Sequence, residues 1–171
     1  MIADAYTIRR AQPAELGQLP AIERAAAAQF RATPFAALAD APLSAEEIDP
    51  ARDQIWVAVA PTDEPVGFAL VHRLATVAHL HELDVHPAHA RRGLGRRLIE
   101  AVARWAEGEG LRALTLTTFR DIPWNAPYYA RLGFRSVGAD ELSAELRAIS
   151  AAEAAAGLPV HERISMRRDL A

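Results

Sequence analysis

The stretch HPAHARRGLGRRLIEAVARWAEGEG, from His86 to Gly110, sets Gly93 and Gly95 among four arginines just ahead of a helical pattern. Apolar residues at 94, 98, 102 and 105 share one helix face, and Gly108 and Gly110 predict its end. A strand-to-helix turn offers backbone N–H groups at the positive end of the helix dipole, which binds phosphate. The same residues also suit a simple tight turn followed by a solvated helix face, so both interpretations stand at this point.

Strand patterns flank this helix. The runs QIWVAVA (54–60), VGFALVHRL (66–74) and VAHLHELDVH (77–86) predict an antiparallel meander, because their connections are too short for a parallel crossover. After the helix, LRALTLTTF (111–119) predicts another strand. Strand, helix and strand from Leu80 to Phe119 then form a unit with two parallel strands, so the expected sheet is mixed.

The N-terminal part carries three further signals. AYTIRRA (5–11) alternates as a strand does, and AELGQLPAIERAAAAQF (14–30) has helical spacing despite Pro20. Ser44 and Glu47 form a capping-box pattern that predicts the start of a short helix.

The C-terminal part begins with a short helix, which Asn125 is placed to cap, with Pro127 in its first turn and Gly133 beyond its end. A strand is predicted at 134–138, a helix at 141–157 and a closing strand at 160–170. Ser150 and Glu153 provide a second capping-box pattern in that helix. No linker divides the chain, so one domain spanning residues 1–171 is expected.

Composition narrows the function. The 171 residues carry a net charge of -3, with no broad basic footprint, so neither nucleic acid nor a membrane is an expected partner. No cysteine is present, which excludes thiol chemistry and zinc-thiolate sites. The chain has neither a signal-peptide pattern nor an apolar run of membrane-spanning length, so a cytoplasmic location is expected.

Common phosphate-binding and hydrolase motifs do not fit. The glycines are not followed by Lys and Ser or Thr, as in a P-loop, and an antiparallel meander precedes them, unlike a dinucleotide-binding fold. The nucleophile motif GxSxG is absent as well. If the turn binds phosphate, a different phosphate-bearing cofactor is expected.

Three segments in this order resemble the GNAT superfamily of N-acetyltransferases: LDVHPAHARRGLGRRLIEAVARWAEGEG, LTLTTF and NAPYYARLGFRSVG. The resemblance implies an α+β fold in which helices flank a central mixed sheet with splayed parallel strands. It also implies acetyl-CoA as cosubstrate, with its pyrophosphate on backbone N–H groups of the turn and its pantetheine arm along the strand. The cofactor-binding residues implied are Leu83, Val85, Arg91, Arg92, Gly93, Leu94, Gly95, Arg96 and Asn125.

The resemblance also assigns catalytic residues. Acyl transfer needs a neutral amine, and Glu82 is the candidate base, although an unperturbed glutamate needs burial or a water relay to act at neutral pH. Glu82 also fits a role limited to orienting substrate. Tyr129 is the candidate acid for the departing thiolate, and it also suits core packing. Asp84 shares the face of Glu82 and fits an assisting role or a place in the acceptor pocket.

The expected reaction is direct acetyl transfer to a primary amine of a small molecule. A non-catalytic domain that binds acyl-CoA and an enzyme that acetylates protein N-termini or lysines remain alternatives. His79, His81, His86 and His89 lie close in sequence, but without cysteine or an acidic ligand pattern no metal site is predicted. A homodimer is expected from the family resemblance.

Overall fold

A computed structural model describes residues 5–40, 48–49 and 51–171. Over these residues the chain forms seven strands and four α-helices. The strands are β1 (Thr7–Arg10), β2 (Asp53–Val59), β3 (Pro65–Arg73), β4 (Val77–Val85), β5 (Ala113–Phe119), β6 (Arg135–Val137) and β7 (Arg163–Asp169), and the helices are α1 (Leu19–Ala27), α2 (Leu94–Gly108), α3 (Ala126–Arg131) and α4 (Ala144–Ala155). The predicted capping box of Ser44 and Glu47 lies outside the described residues.

The strands hydrogen-bond in the order β1-β2-β3-β4-β5-β7-β6. β4 and β5 run parallel, whereas β1 with β2, β2 with β3, β5 with β7 and β6 with β7 pair antiparallel. Three residues connect β3 to β4, too few for a parallel crossover. The predicted meander, the parallel strand-helix-strand unit and the mixed sheet are therefore confirmed.

Among the described residues, the register between β4 and β5 covers only the start of both strands. Val77 lies opposite Ala113, and the register ends at His79 opposite Thr115. β4 continues to Val85, and β5 remains paired with β7 along its whole length. The parting of the two central strands that the resemblance implies stays a prediction.

The described chain divides into two compact units. The first contains the residues up to 73 together with 82–104, and the second contains 74–81 together with 105–171. In the first unit, side chains of α1, β2 and β3 form one core cluster that includes Val57 and Phe68, both 0% exposed. In the second unit, Leu116 of β5 and Met166 of β7 are buried opposite each other. Each unit thus has buried apolar residues of its own.

The α-helix predicted at 14–30 is shorter than expected, because a 3-10 helix lies on each side of it. A 3-10 helix spans Pro13–Gln18, α1 spans Leu19–Ala27, and a second 3-10 helix spans Ala28–Ala32. Pro20 lies in the first turn of α1, where its missing N–H breaks no helical hydrogen bond. The α-helix therefore begins one residue before the proline, so that Pro20 is not in the helix interior.

α2 follows the predicted apolar spacing with one correction. Leu94, Leu98 and Val102 are buried as expected, but Trp105 is half-buried and Ala106 is 0% exposed. The buried face is centred on the side of the helix that also carries Ile99 and Ala103. Trp105 therefore lies at the edge of that face. Neither α2 nor any other helix of the described residues has the length and apolar character needed to cross a bilayer.

α4 begins at Ala144, six residues before Ser150 of the capping-box pattern. Ser143 is the N-cap, and its hydroxyl oxygen accepts a hydrogen bond from the Leu146 N–H at 3.2 Å. Ser150 and Glu153 lie inside the helix, so the capping-box prediction for this pair is wrong. Glu153 instead faces Arg163 of β7 at 3.5 Å.

Candidate active site

The turn between β4 and α2 contains two residues with left-handed backbone. Arg91 has a φ of 61° and Gly93 a φ of 71°, so the glycine is needed there while the arginine adopts a conformation that side chains disfavour. The Arg97 N–H donates to the Gly93 carbonyl at 3.0 Å, the first hydrogen bond of the helix. The N–H groups of residues 94–96 precede that bond and have no intrahelical acceptor. The turn therefore supplies the predicted N–H donors.

The predicted turn residues differ in their surroundings. Arg91, Arg92, Gly93 and Arg96 are exposed, whereas Leu94 is buried. A methyl group on Gly93 would meet no atom within 4 Å. Glycine is therefore favoured here by the backbone conformation, and the space beside the backbone is open. Gly95 is the second residue of α2 and lies outside the turn.

A cluster from the N-terminal segment holds this turn, and no local sequence signal predicted it. The Tyr6 hydroxyl lies 2.8 Å from Nδ1 of His89, and Arg97 donates to the Tyr6 carbonyl at 2.6 Å. The Arg92 guanidinium lies 5.6 Å from the centre of the Tyr6 ring. Of the four arginines, Arg97 is thus turned toward the N-terminal segment, while Arg91, Arg92 and Arg96 remain exposed.

The backbone groups at the end of β4 alternate between the two edges of the strand. The His86 N–H donates to the Val66 carbonyl of β3 at 2.8 Å, so the backbone groups of residues 84 and 86 face β3. Backbone groups alternate along a strand, and those of Leu83 and Val85 therefore point to the opposite edge. Both residues lie beyond the last registered pair between β4 and β5. This edge is where a strand-like ligand would find donors and acceptors.

Two carboxyl groups lie on one face of β4. Glu82 is half-buried, and its side chain leaves β4 on the same face as that of Asp84. Burial, and then the nearby charge of Glu82, raises the pKa of Asp84 well above its usual range, with a smaller contribution from Glu23 of α1. As a whole residue Asp84 is half-buried, but its Oδ2 atom is buried without a hydrogen-bond partner.

In the second unit, Asn125 occupies the N-cap position of α3, but its side chain makes no capping hydrogen bond. The predicted side-chain cap is therefore wrong, and the Asn125 backbone carbonyl instead accepts from the Tyr129 N–H at 3.0 Å. Pro127 lies in the first turn and Gly133, with a φ of 90°, follows the helix, as predicted. Asn125 is half-buried, and its side-chain amide makes no hydrogen bond that caps α3.

Tyr129 is also half-buried, and its ring packs against two other aromatic rings. The ring centres of Tyr128 and Phe134 lie 5.4 and 5.7 Å away in edge-to-face geometry. Phe134 belongs to the LGF segment of the resemblance. The ring therefore has the packing role that the sequence allowed, and this contact also fixes the direction of the phenol.

The four histidines between residues 79 and 89 differ in burial and in the groups that they contact. His79 is 2% exposed and its Nδ1 lies 3.0 Å from the Thr115 hydroxyl, whereas His81 is exposed. His86 and His89 contact each other in the turn between β4 and α2, with ring centres 6.1 Å apart. Within the described residues, no group of three or more His, Asp or Glu side chains is arranged to hold a metal ion.

Comparison with known proteins gives a family match. The model described as the acetyltransferase (GNAT) family matches residues 19–134. A peptidyl-lysine N-acetyltransferase of Salmonella typhimurium, YjaB, is 32% identical over 88 residues. That match covers 52% of this chain and 54% of the relative, so the chain spans about half the length of the curated relative.

Solved structures resemble the whole chain in fold. A GNAT acetyltransferase of Staphylococcus aureus has a TM-score of 0.72 at 16% identity, covering 97% of this chain and 99% of that one. The PaiA N-acetyltransferase of Thermoplasma acidophilum, solved with coenzyme A, has a TM-score of 0.70 at 15% identity and covers 96% and 98%. The ribosomal-protein-S18-alanine N-acetyltransferase of Escherichia coli has a TM-score of 0.67 at 20% identity and covers 97% and 94%.

Proposed function

Since the chain belongs to the GNAT acetyltransferase family, we propose that it transfers an acetyl group from acetyl-CoA directly to a primary amine of a small molecule. The observation that carries this proposal is the turn ahead of α2. Its left-handed residues Arg91 and Gly93 expose backbone beside three exposed arginine side chains, and the N–H groups of residues 94–96 are free of intrahelical acceptors. Donors of this kind fit a diphosphate.

Backbone groups of β4 and the Asn125 side chain suit the rest of the cosubstrate. Leu83 and Val85 direct backbone groups away from β3, which suits the amide groups of a pantetheine arm. The Asn125 amide, which does not cap α3, is a further partner for that arm. Acetyl-CoA supplies an activated acyl group as a thioester, and the protein supplies orientation and proton transfer.

Glu82 removes a proton from the attacking amine as nitrogen bonds to the acyl carbon, and Tyr129 gives its phenolic proton to the sulfur as the carbon–sulfur bond breaks. The acetylated amide product and the thiol of coenzyme A then leave. Glu82 releases the proton that it took and Tyr129 regains one from solvent, so both groups return to their starting states. General acid–base groups of this kind contribute about 100-fold to 10,000-fold each.

A second acceptor class has a specific observation in its favour. The relative that is 32% identical is named a peptidyl-lysine N-acetyltransferase. A lysine side chain is also a primary amine, so the same proton transfers apply. A small amine and a lysine peptide are therefore both acceptors to be tested.

The test begins with binding. At about 100 times the dissociation constant, acetyl-CoA stabilises the folded protein by about 2.7 kcal/mol, which raises Tm by about 5–11 °C. Release of thiol is then measured with a panel of small amines and with a lysine peptide. No thermal shift would contradict the cosubstrate assignment, and binding without turnover on either acceptor would favour a non-catalytic domain.

Substitutions test the catalytic roles. Glu82→Gln and Tyr129→Phe are each expected to lower kcat by about 100-fold or more while the Kd for acetyl-CoA stays unchanged. Tyr128→Phe is the matched control for the phenol, because it removes a hydroxyl from the adjacent tyrosine of the same helix. Glu64→Gln, on an exposed residue, is the control for the carboxylate. Equal kcat in a site variant and its control would remove that residue from the mechanism.

A further inference from the structure

The two carboxyl groups on β4 are placed where a second negative charge is unfavourable. Glu82 and Asp84 are two residues apart, so their side chains leave the same face of the strand. Two ionised carboxylates side by side repel each other and can only accept hydrogen bonds, so the pair is most stable when one group holds a proton. This placement favours one neutral carboxylic acid and one carboxylate.

The surroundings decide which member holds the proton. Oδ2 of Asp84 is buried with no hydrogen-bond partner, and a charged oxygen in that position would lose its hydration without compensation. Within the part of the chain that the structure describes, the charged groups that act on Asp84 are Glu82 on the same strand and Glu23 of α1, and both are acidic. Neither of them would stabilise a second negative charge at Asp84. The proton therefore belongs on Asp84.

We propose that Asp84 is a positioning residue that stays protonated at neutral pH and donates a hydrogen bond to the Glu82 carboxylate. This bond fixes the orientation of the Glu82 side chain and keeps one negative charge on the pair. Asp84 itself transfers no proton to substrate. The consequence for catalysis rests on the proposed role of Glu82 as base, whereas the protonation of Asp84 does not.

Two substitutions separate this role from a general structural one. Asp84→Asn keeps a donor of the same shape, so kcat is expected to stay within about threefold of the wild type. Asp84→Ala removes the donor, and since a hydrogen bond to a charged group contributes about 1.5–3 kcal/mol, kcat is expected to fall about tenfold to a hundredfold. The Kd for acetyl-CoA should be the same in all three proteins. Equal loss of kcat in both variants would overturn the proposal.

The pH profile gives a second kinetic readout. Because burial and Glu82 raise the pKa of Asp84, its proton is present at neutral pH and leaves as the pH rises through that pKa. The wild-type kcat should then decline on the alkaline side as two adjacent carboxylates repel each other. Asp84→Asn should lack that decline, because an amide does not titrate. An identical alkaline limb in both proteins would contradict the role of the shared proton.

A spectroscopic measurement decides the protonation state without any turnover. The infrared difference spectrum between the wild type and Asp84→Asn at neutral pH should contain the carbonyl band of a protonated carboxylic acid, shifted in deuterium oxide. A difference spectrum with only carboxylate bands would overturn the proposal. If the band is present but no acceptor is acetylated, the proposed enzyme function fails while the protonation of Asp84 stands.

Discussion

Gly67 of β3 offers a direct test of how closely the backbones of β3 and β4 approach at the candidate site. A Cβ atom at this position would lie 2.9 Å from the Asp84 carbonyl oxygen and 3.1 Å from Cγ2 of Val85. Ordinary contact begins at 3.4 Å, so Gly67→Ala requires the two strands to part by about 0.5 Å. The obstructing oxygen belongs to backbone and is unable to rotate away, unlike the end of a flexible side chain.

Overpacking of this kind typically costs about 1–3 kcal/mol, and for a chain of this length each kcal/mol lowers Tm by about 2–4 °C. Gly67→Ala should therefore lower Tm by about 2–12 °C in a calorimetric scan. The same displacement moves the backbone of Val85, which is proposed to contact the cosubstrate. The affinity for acetyl-CoA, measured by titration calorimetry below the lowered Tm, should decrease as well.

Gly108, the last residue of α2, provides the matched control. A Cβ atom there would meet nothing within 4 Å, and its φ is not left-handed. Gly108→Ala reduces the conformational freedom of the unfolded chain and should stabilise the protein by about 0.4–1 kcal/mol. The same chemical change is thus expected to have opposite signs at the two positions. An unchanged or higher Tm for Gly67→Ala would refute the close approach of β3 and β4.

Two further predictions concern the first unit. Tyr6→Phe removes the hydroxyl that is hydrogen-bonded to His89. Because one hydrogen bond contributes about 0.5–1.5 kcal/mol, the Kd for acetyl-CoA, measured by titration calorimetry, should rise about twofold to tenfold. An unchanged Kd would show that Tyr6 does not hold the turn. The hydrogen bond from Arg9 lowers the pKa of Glu15 below its ordinary value of 4.5, so its stabilisation is present above that value and is lost as pH falls through the lowered pKa. Arg9→Met should therefore reduce the free energy of unfolding in urea at pH 7 more than at about pH 3, and equal losses at both pH values would contradict the pair's role.

Much of the candidate site could be predicted from sequence because its signals are local. The strand ending at Val85, the glycine turn and the helix from Leu94 follow from residues that are neighbours in the chain. Gly93 was identifiable because a left-handed backbone favours glycine. The left-handed Arg91 had no such signal, since its conformation is imposed by the surrounding structure.

The helix-cap predictions failed where a polar side chain has more than one backbone partner within reach. Asn125 has the residue type and position of a cap, yet its side chain does not bond the helix it precedes. Ser150 and Glu153 match a capping box as well as any pair, but Ser143 begins the helix. A short polar side chain has several backbone partners within reach, and the packing of the whole segment selects among them.

The sequence by itself determined the order of strands and helices and the turn before α2, since each depends on periodicity or spacing over a few residues. The candidate base and acid were implied by the family resemblance of its motifs. Only the tertiary structure brought Tyr6 to His89, which is 83 residues away, and buried an oxygen of Asp84 beside Glu82. Burial and long-range contact depend on which surfaces pack together. The proton assigned to Asp84 is therefore a property of the folded chain, because the same aspartate in an extended peptide would be hydrated and ionised at neutral pH.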